Sequence, residues 1–151
     1  VVGEVRGEEC IDMLQAMNTG HEGSLTTLHA GSPLEAVSRL VLLARIGMDL
    51  PASLIEEQVA TALDLIVMSR RMVDGSRVIA SACEVTRGEG GEVVLEELVS
   101  FDAARRTWRL ERMPAFLGEA VREGVLEEGE VRAWERLCSR ESAWRAVPAR
   151  G

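Results

Sequence analysis

The only two histidines of the chain, His21 and His29, stand within the string GHEGSLTTLHA at residues 20–30, and an acid, Glu4, closes the apolar opening Val1-Val2-Gly3. These residue types can bind a phosphate oxygen, pass a proton or hold a metal. A carboxylate at a strand tip can orient a water for attack on a phosphate, or hold a magnesium ion through water. It can equally be a solvent-facing glutamate that pairs with Arg6 or caps the next helix. An imidazole near a γ-phosphate can donate a hydrogen bond and so report that the phosphate is present. The plainer alternative is one loop histidine and one strand-end histidine with a satisfied partner. Glu4, His21 and His29 have the ligand types of a His₂Glu zinc set, but they are widely spaced and no H-E-x-x-H helix is present. Ser24, Thr26 and Thr27 lie beside the histidines, yet G-H-E-G-S is not the G-x-S-x-G of a serine hydrolase.

The elements that must position these groups follow from local pattern. Val1-Val2-Gly3 predicts the end of a strand buried on both faces, with Glu4 at its C-terminal tip, the edge at which open α/β sheets bind ligands. Residues 8–18 carry Ile11, Leu14 and Met17 at helical spacing, with Gly20 as the stop. Glu8, Glu9 and Asp12 sit where acids favour a helix N-terminus. Ser24 to His29 predicts the next strand. Ser32-Pro33-Leu34-Glu35 has the order of a capping box, followed by Leu34, Val37, Leu40, Val41 and Ala44 on one face as far as Gly47. Pro51 opens a further helix with Ile55, Val59 and Ala62 inward and Glu56, Glu57 and Thr61 outward. Leu65 to Met68 reads as a central strand. Asp74-Gly75 and residues 88–91 read as turns of an antiparallel meander over residues 77–84 and 93–101, with a further strand near Trp108–Leu110. From Pro114 the pattern is helical, with a short piece to about Arg122. A longer piece over residues 128–144 carries the stripe Val131, Trp134, Leu137 and Cys138. Val147 to Gly151 is expected to fray. Strand signals give way to helix signals near residues 101–104, which suggests units at 1–101 and 102–151.

Composition narrows the function classes. A chain of 151 residues, 46% hydrophobic, can bury a sizeable core. No apolar run approaches a bilayer span and no signal peptide is visible, so the chain reads as soluble. A net charge of −8 argues against a non-specific nucleic-acid coat. All 17 basic residues are arginine, so the chain cannot contain the lysine of a G-x-x-x-x-G-K-[ST] phosphate loop. Cys10, Cys83 and Cys138 are scattered and odd in number, as expected of buried free thiols in a reducing compartment. The Arg105-Arg106 pair reads as a solvated strand edge, and Trp108, Trp134 and Trp144 as packing residues. Because residue 1 is a valine inside a strand pattern, the chain is expected to be a C-terminal piece of a longer protein.

Taken together, the strings resemble the type II/IV secretion ATPase superfamily. VVGEVRG at residues 1–7 is similar to its atypical Walker B segment, and MNTGHEGSLTTLHA at residues 17–30 to its histidine box. Within the superfamily the box looks most like that of the CpaF branch of tight-adherence (Flp) pilus motors, commonly T-G-H-[DE]-G-S-[LM]-[ST]-T-[IL]-H-A-N-S-P. The likeness continues through Ser32-Pro33, residues 50–63, Asp64 to Val67 and Asp74 to Arg77, with a weaker echo at Pro114 to Leu117. It covers about the first hundred residues. Gly31 replaces the usual asparagine, and the Walker A loop, aspartate box and N-terminal domain have no counterpart.

The resemblance implies an α/β fold: the C-terminal part of a RecA-like P-loop NTPase domain, with an antiparallel β-meander and C-terminal helices. It gives Glu4 the role of activating water and supporting magnesium through water. It gives His29, and with less support His21, the sensing of nucleotide phosphates. Arg6 would tie the motif to a neighbouring acid or phosphate. It implies ATP and Mg2+ in the intact protein, a homo-oligomer of hexameric form, inner-membrane platform proteins as partners, no nucleic acid, and a cytoplasmic location peripheral to the inner membrane. A chain without the phosphate loop is expected to be inactive alone. The competing expectation is a non-catalytic interaction or regulatory module derived from such an ATPase.

Overall fold

The computed structural model describes residues 1–20, 23–47, 50–138 and 144–145; for residues 137, 138, 144 and 145 only the backbone is described. His21, and the end at residues 147–151, lie outside the described residues. The chain divides into two compact units, Val1–Ile66 with Val85–Glu96, and Val67–Glu84 with Glu97–Gly151.

Three amphipathic helices build the first unit: α1 (Glu9–Asn18), α2 (Pro33–Gly47) and α3 (Ala52–Ala62). Their inward faces meet in one core that includes Cys10, Leu14, Leu40, Ala44, Ile55 and Val59, closed on one side by Val5. On α1 the buried positions are Cys10, Met13 and Leu14, with Ile11 and Met17 at the margin. On α2 they are Ala36, Val37, Leu40, Leu43 and Ala44. The expected α2 stripe is therefore rotated. Leu34 stays exposed and Val41 is only partly buried, because Ala36 and Leu43 widen the face on its other side. At the start of α2 the Ser32 hydroxyl accepts the Glu35 N–H at 3.1 Å. The Glu35 carboxylate accepts the Gly31 N–H at 2.8 Å, one residue before the cap rather than at the cap itself. On α3, Glu57 pairs with Arg87, and Glu56 accepts the Val93 N–H at 3.5 Å.

The opening of the chain corrects one expectation. Val1, Val2 and Gly3 are exposed, and only Val5 is buried. Val2 and Thr26 form an isolated parallel bridge, with Val2 N–H donating to Leu25 O at 2.9 Å and Val5 N–H to Thr27 O at 3.1 Å. A strand buried on both faces needs neighbours at both edges and layers over both sides. Among the described residues only 25–27 lie alongside, so residues 24–29 form one bridge rather than a strand. Thr26 Oγ1 is buried without a hydrogen-bond partner among the described residues.

The strands are β1 (Leu65–Arg71), β2 (Arg77–Arg87), β3 (Val93–Asp102), β4 (Thr107–Leu110) and β5 (Trp144–Arg145), in the sheet order β1-β2-β3-β4-β5. This meander puts β1 at an edge, with Leu65 and Val67 exposed, so the apolar run from Leu65 is not the central strand expected. The β1–β2 turn closes through Met72 N–H to Ser76 O at 2.8 Å, with Gly75 at φ +83°, a conformation glycine adopts without steric cost. Asp74 accepts from the Ser76 hydroxyl and from Arg106, each at 2.6 Å, and these bonds hold its carboxyl well below the usual carboxylate range. Arg106 belongs to the β3–β4 turn at φ 53°, not to a strand edge. Phe101 lies opposite Trp108 in the β3–β4 register, their ring centroids 5.0 Å apart, and the indole N–H donates to Ile79 O at 2.8 Å. The packing role expected of Trp108 is met.

After the sheet come α4 (Leu117–Arg122) and α5 (Glu128–Cys138). The buried carboxylate of Glu84 accepts the Ala115 N–H through both oxygens, at 3.0 and 2.9 Å, which fixes the entry to α4. Among the described residues α5 runs over Glu128–Cys138, and Trp144 belongs to β5 rather than to the helix expected there, its backbone paired opposite Trp108 on β4. Trp134 is exposed, so that part of the α5 stripe is not core. Cys10 and Cys83 are buried free thiols, and burial pushes the Cys10 thiol up to about 11, as suits an unreactive core position. The helices and antiparallel meander make an α/β fold.

Candidate functional site

Glu4 is held by two separate stretches of chain. Ahead of it, the Gly3 carbonyl accepts the Thr27 hydroxyl at 2.6 Å; after it, the Val5 N–H donates to the Thr27 carbonyl at 3.1 Å. The backbone then turns into α1 under the control of Glu9, whose Oε1 accepts the Arg6 N–H at 2.6 Å and the Gly7 N–H at 3.0 Å. The acids of this first turn thus include a specific backbone clamp, beyond the general charge–dipole effect expected of them. Glu8, at the N-cap itself, makes no side-chain capping bond.

The carboxylate so placed is bracketed by two donors. Arg6 Nη2 lies 2.6 Å from Glu4 Oε2, and His29 Nε2 lies 3.1 Å from Glu4 Oε1. The glutamate side chain is 26% exposed, whereas Arg6 and His29 are 75% and 84% exposed, so the acid sits beneath two mobile-length side chains that reach solvent. The Arg6 hydrogen bond is the main cause that lowers the Glu4 carboxyl below its ordinary value; the charges of Arg6, His29 and Arg39 add to it, against partial desolvation. An acid held in this way stays ionised at neutral pH and is a weak proton acceptor. It is suited to orienting a water or a hydrated cation rather than to removing a proton outright.

The structure therefore brings together three of the four residues singled out from sequence, Glu4, Arg6 and His29; the fourth, His21, lies outside the described residues. Thr27 and Glu9 were not distinguished from their neighbours by sequence. The only available signal was the β-branched run at 26–27 and the acid in the first helical turn. No group of three His, Cys, Asp or Glu side chains able to hold a metal occurs among the described residues. A depression of about 480 Å³ lined by Glu35, Ser38, Arg39, Leu42 and Leu43 lies along α2, with neither Glu4 nor His29 in its wall. No helix of the described residues is long and apolar enough to cross a membrane.

Residues 1–138 match the family described as Type II/IV secretion system protein. The chain belongs to this family. Among its relatives, a Mycobacterium tuberculosis protein named for conjugal transfer is 39% identical over 90 residues, covering 60% of this chain and 25% of that protein. The conjugal transfer protein TrbB of Rhizobium radiobacter is 40% identical over 78 residues, covering 52% of this chain and 23% of its own length. Among solved structures, the VirB11 ATPase of the Brucella suis type IV secretion system is similar at 34% identity and a TM-score of 0.49, over 54% of this chain and 26% of that one. The chain thus spans about a quarter of the length of the relatives it matches.

Proposed function

We propose that this chain contributes the water-orienting and phosphate-sensing end of an ATP-hydrolysing secretion motor. In this reading residues 1–101 belong to a RecA-like P-loop NTPase domain and 102–151 are an extension. The observation that carries it is the 3.1 Å approach of His29 to Glu4, two residues from separate motifs that meet in one place. Membership of the family supports it.

The donor set fits the terminal-phosphate end of a nucleotide. An ionised carboxylate suits a hydrated Mg2+ or an attacking water, and an imidazole and a guanidinium suit phosphate oxygens. A bound magnesium ion would neutralise charge on the phosphates. Nothing in the chain supplies the lysine of a phosphate loop. In the proposed cycle Glu4 holds water in line with the terminal phosphate, and Arg6 orients the carboxylate and lowers its proton affinity. His29 exchanges its bond to Glu4 for one to the phosphate, so that loss of that phosphate is felt at the carboxylate; His21 assists from the same box. Phosphoryl transfer rests on positioning and charge rather than on strong base catalysis, which agrees with a glutamate of lowered proton affinity.

The intact protein would work as a homo-oligomeric ring, of hexameric form by resemblance. It would bind inner-membrane platform proteins from the cytoplasmic side and drive pilin assembly or protein export, with no nucleic acid bound by the motor itself. Assignment to tight-adherence pili rests on the wording of the histidine box alone; the names of the two relatives point to conjugal transfer. The chain by itself should show no ATP turnover above background in a coupled phosphate-release assay in which the intact protein is active. Robust turnover by the chain alone would contradict the division of labour proposed here. An intact protein that binds but never hydrolyses ATP would favour the regulatory module instead.

A further inference from the structure

We infer that Thr27 is a positioning residue for Glu4. The inference rests on the reading above, in which Glu4 orients the attacking water. The two peptide groups that flank the Glu4 α-carbon are both held by this one residue. The carbonyl of the preceding peptide, that of Gly3, accepts the Thr27 hydroxyl at 2.6 Å. The N–H of the following peptide, that of Val5, donates to the Thr27 carbonyl at 3.1 Å. With both peptide planes fixed, the direction of the Glu4 Cα–Cβ bond is fixed as well. Two residues further on, His29 receives the carboxylate itself. One short segment, 27–29, therefore sets both the backbone and the side chain of the acid.

A threonine in an extended segment also has a bland explanation, its β-branched shape. Thr26 provides the internal contrast. Its hydroxyl is buried and unpartnered among the described residues, so at 26 the shape is used and the oxygen is not. At 27 the oxygen is used, across 24 residues of sequence.

The test compares Thr27→Ser with Thr27→Ala in the intact protein. Both lose the methyl group, and they differ only in the hydroxyl. Steady-state ATP hydrolysis of Thr27→Ser should stay within about twofold of wild type. Thr27→Ala should lose about tenfold in kcat, with KM for ATP within about twofold, as expected for one hydrogen bond whose value is realised in the reaction. Thr26→Val should hydrolyse ATP at the wild-type rate and melt at a higher temperature. Equal losses in Thr27→Ser and Thr27→Ala would assign Thr27 to packing, melting that collapses only in Thr27→Ala would make its hydroxyl bond merely structural, and a change confined to KM would tie it to nucleotide binding; each would overturn the inference. Glu4→Gln measured alongside separates the two levels. If it is inactive while Thr27→Ala runs at full rate, Thr27 is not the positioner and the role of Glu4 stands. If Glu4→Gln is fully active, the role of Glu4 fails and the inference falls with it.

Discussion

Exchange of Glu4 for glutamine in the intact protein is expected to lower kcat for ATP hydrolysis by about 100- to 1,000-fold, with nucleotide affinity changed by less than about threefold. The side chain keeps its length and can still accept from Arg6, so the fold around it has little reason to change. What is lost is the negative charge that orders a water or a hydrated cation. An amide also presents an N–H₂ group, which cannot accept the hydrogen bonds that a carboxylate oxygen can. Because the effect falls on positioning for the reaction rather than on holding the nucleotide, it should appear in kcat. Steady-state hydrolysis together with calorimetric nucleotide binding separates the two. A kcat within a factor of about three of wild type would remove Glu4 from the reaction. Arg6→Ala would not substitute for this experiment, since loss of the guanidinium leaves the carboxylate ionised and still bonded to His29.

Leu14→Ala should destabilise the first unit by about 3 kcal/mol. Leu14 is 1% exposed and lies at the centre of the three-helix core with Ile55, Val59 and Leu40. Truncation removes three carbons from a close-packed site and leaves a void that the surrounding helices fill only in part. Against a total stability of about 5–15 kcal/mol for a typical domain this is a large fraction. It should also disturb Glu4 indirectly, because Val5 seals the same core one residue after the carboxylate. The matched exposed position is Leu42, 61% exposed on α2, where Leu42→Ala should change stability by no more than about 0.5 kcal/mol. Urea denaturation of the two variants measures the difference. Equal midpoints would mean that the helices do not share the core described.

What sequence revealed and what it hid divide along a physical line. Features fixed by neighbours in the chain were legible. The Asp74-Gly75 turn, the glycine turn at 88–91, the Ser32 cap and the periodicity of the three helices all depend on a few consecutive residues. Features that depend on what covers a segment were not. The apolar runs at Val1 and Leu65 look like doubly buried strands, but hydrophobicity reports a preference for burial and not the presence of a covering layer. In this chain Val1, Val2, Leu65 and Val67 are exposed. The end of α5 was misplaced for a related reason: helical spacing in 128–144 says nothing about the strand pairing that claims Trp144.

The candidate site shows the same division. Glu4, Arg6 and His29 stood out by residue type and by resemblance to family motifs. Their convergence depends on the contact of residues 2–5 with 25–27, which no local pattern announces. Thr27 and Glu9 were invisible as individuals. A threonine beside another threonine, and an acid among acids, carry no mark of which one will find a partner in space. The two bonds of Thr27 to the flanks of Glu4 and the two of Glu9 to the Arg6 and Gly7 amides appear only once the backbone is in place.

The most direct measurement is the structure of the intact protein bound to Mg2+ and a non-hydrolysable ATP analogue. The Glu4 carboxylate should lie within one water molecule of the terminal phosphorus, and the His29 ring nitrogen should lie within hydrogen-bond distance of a terminal phosphate oxygen. A nucleotide seated with its phosphates on the far side of the molecule from Glu4 and His29 would contradict the account.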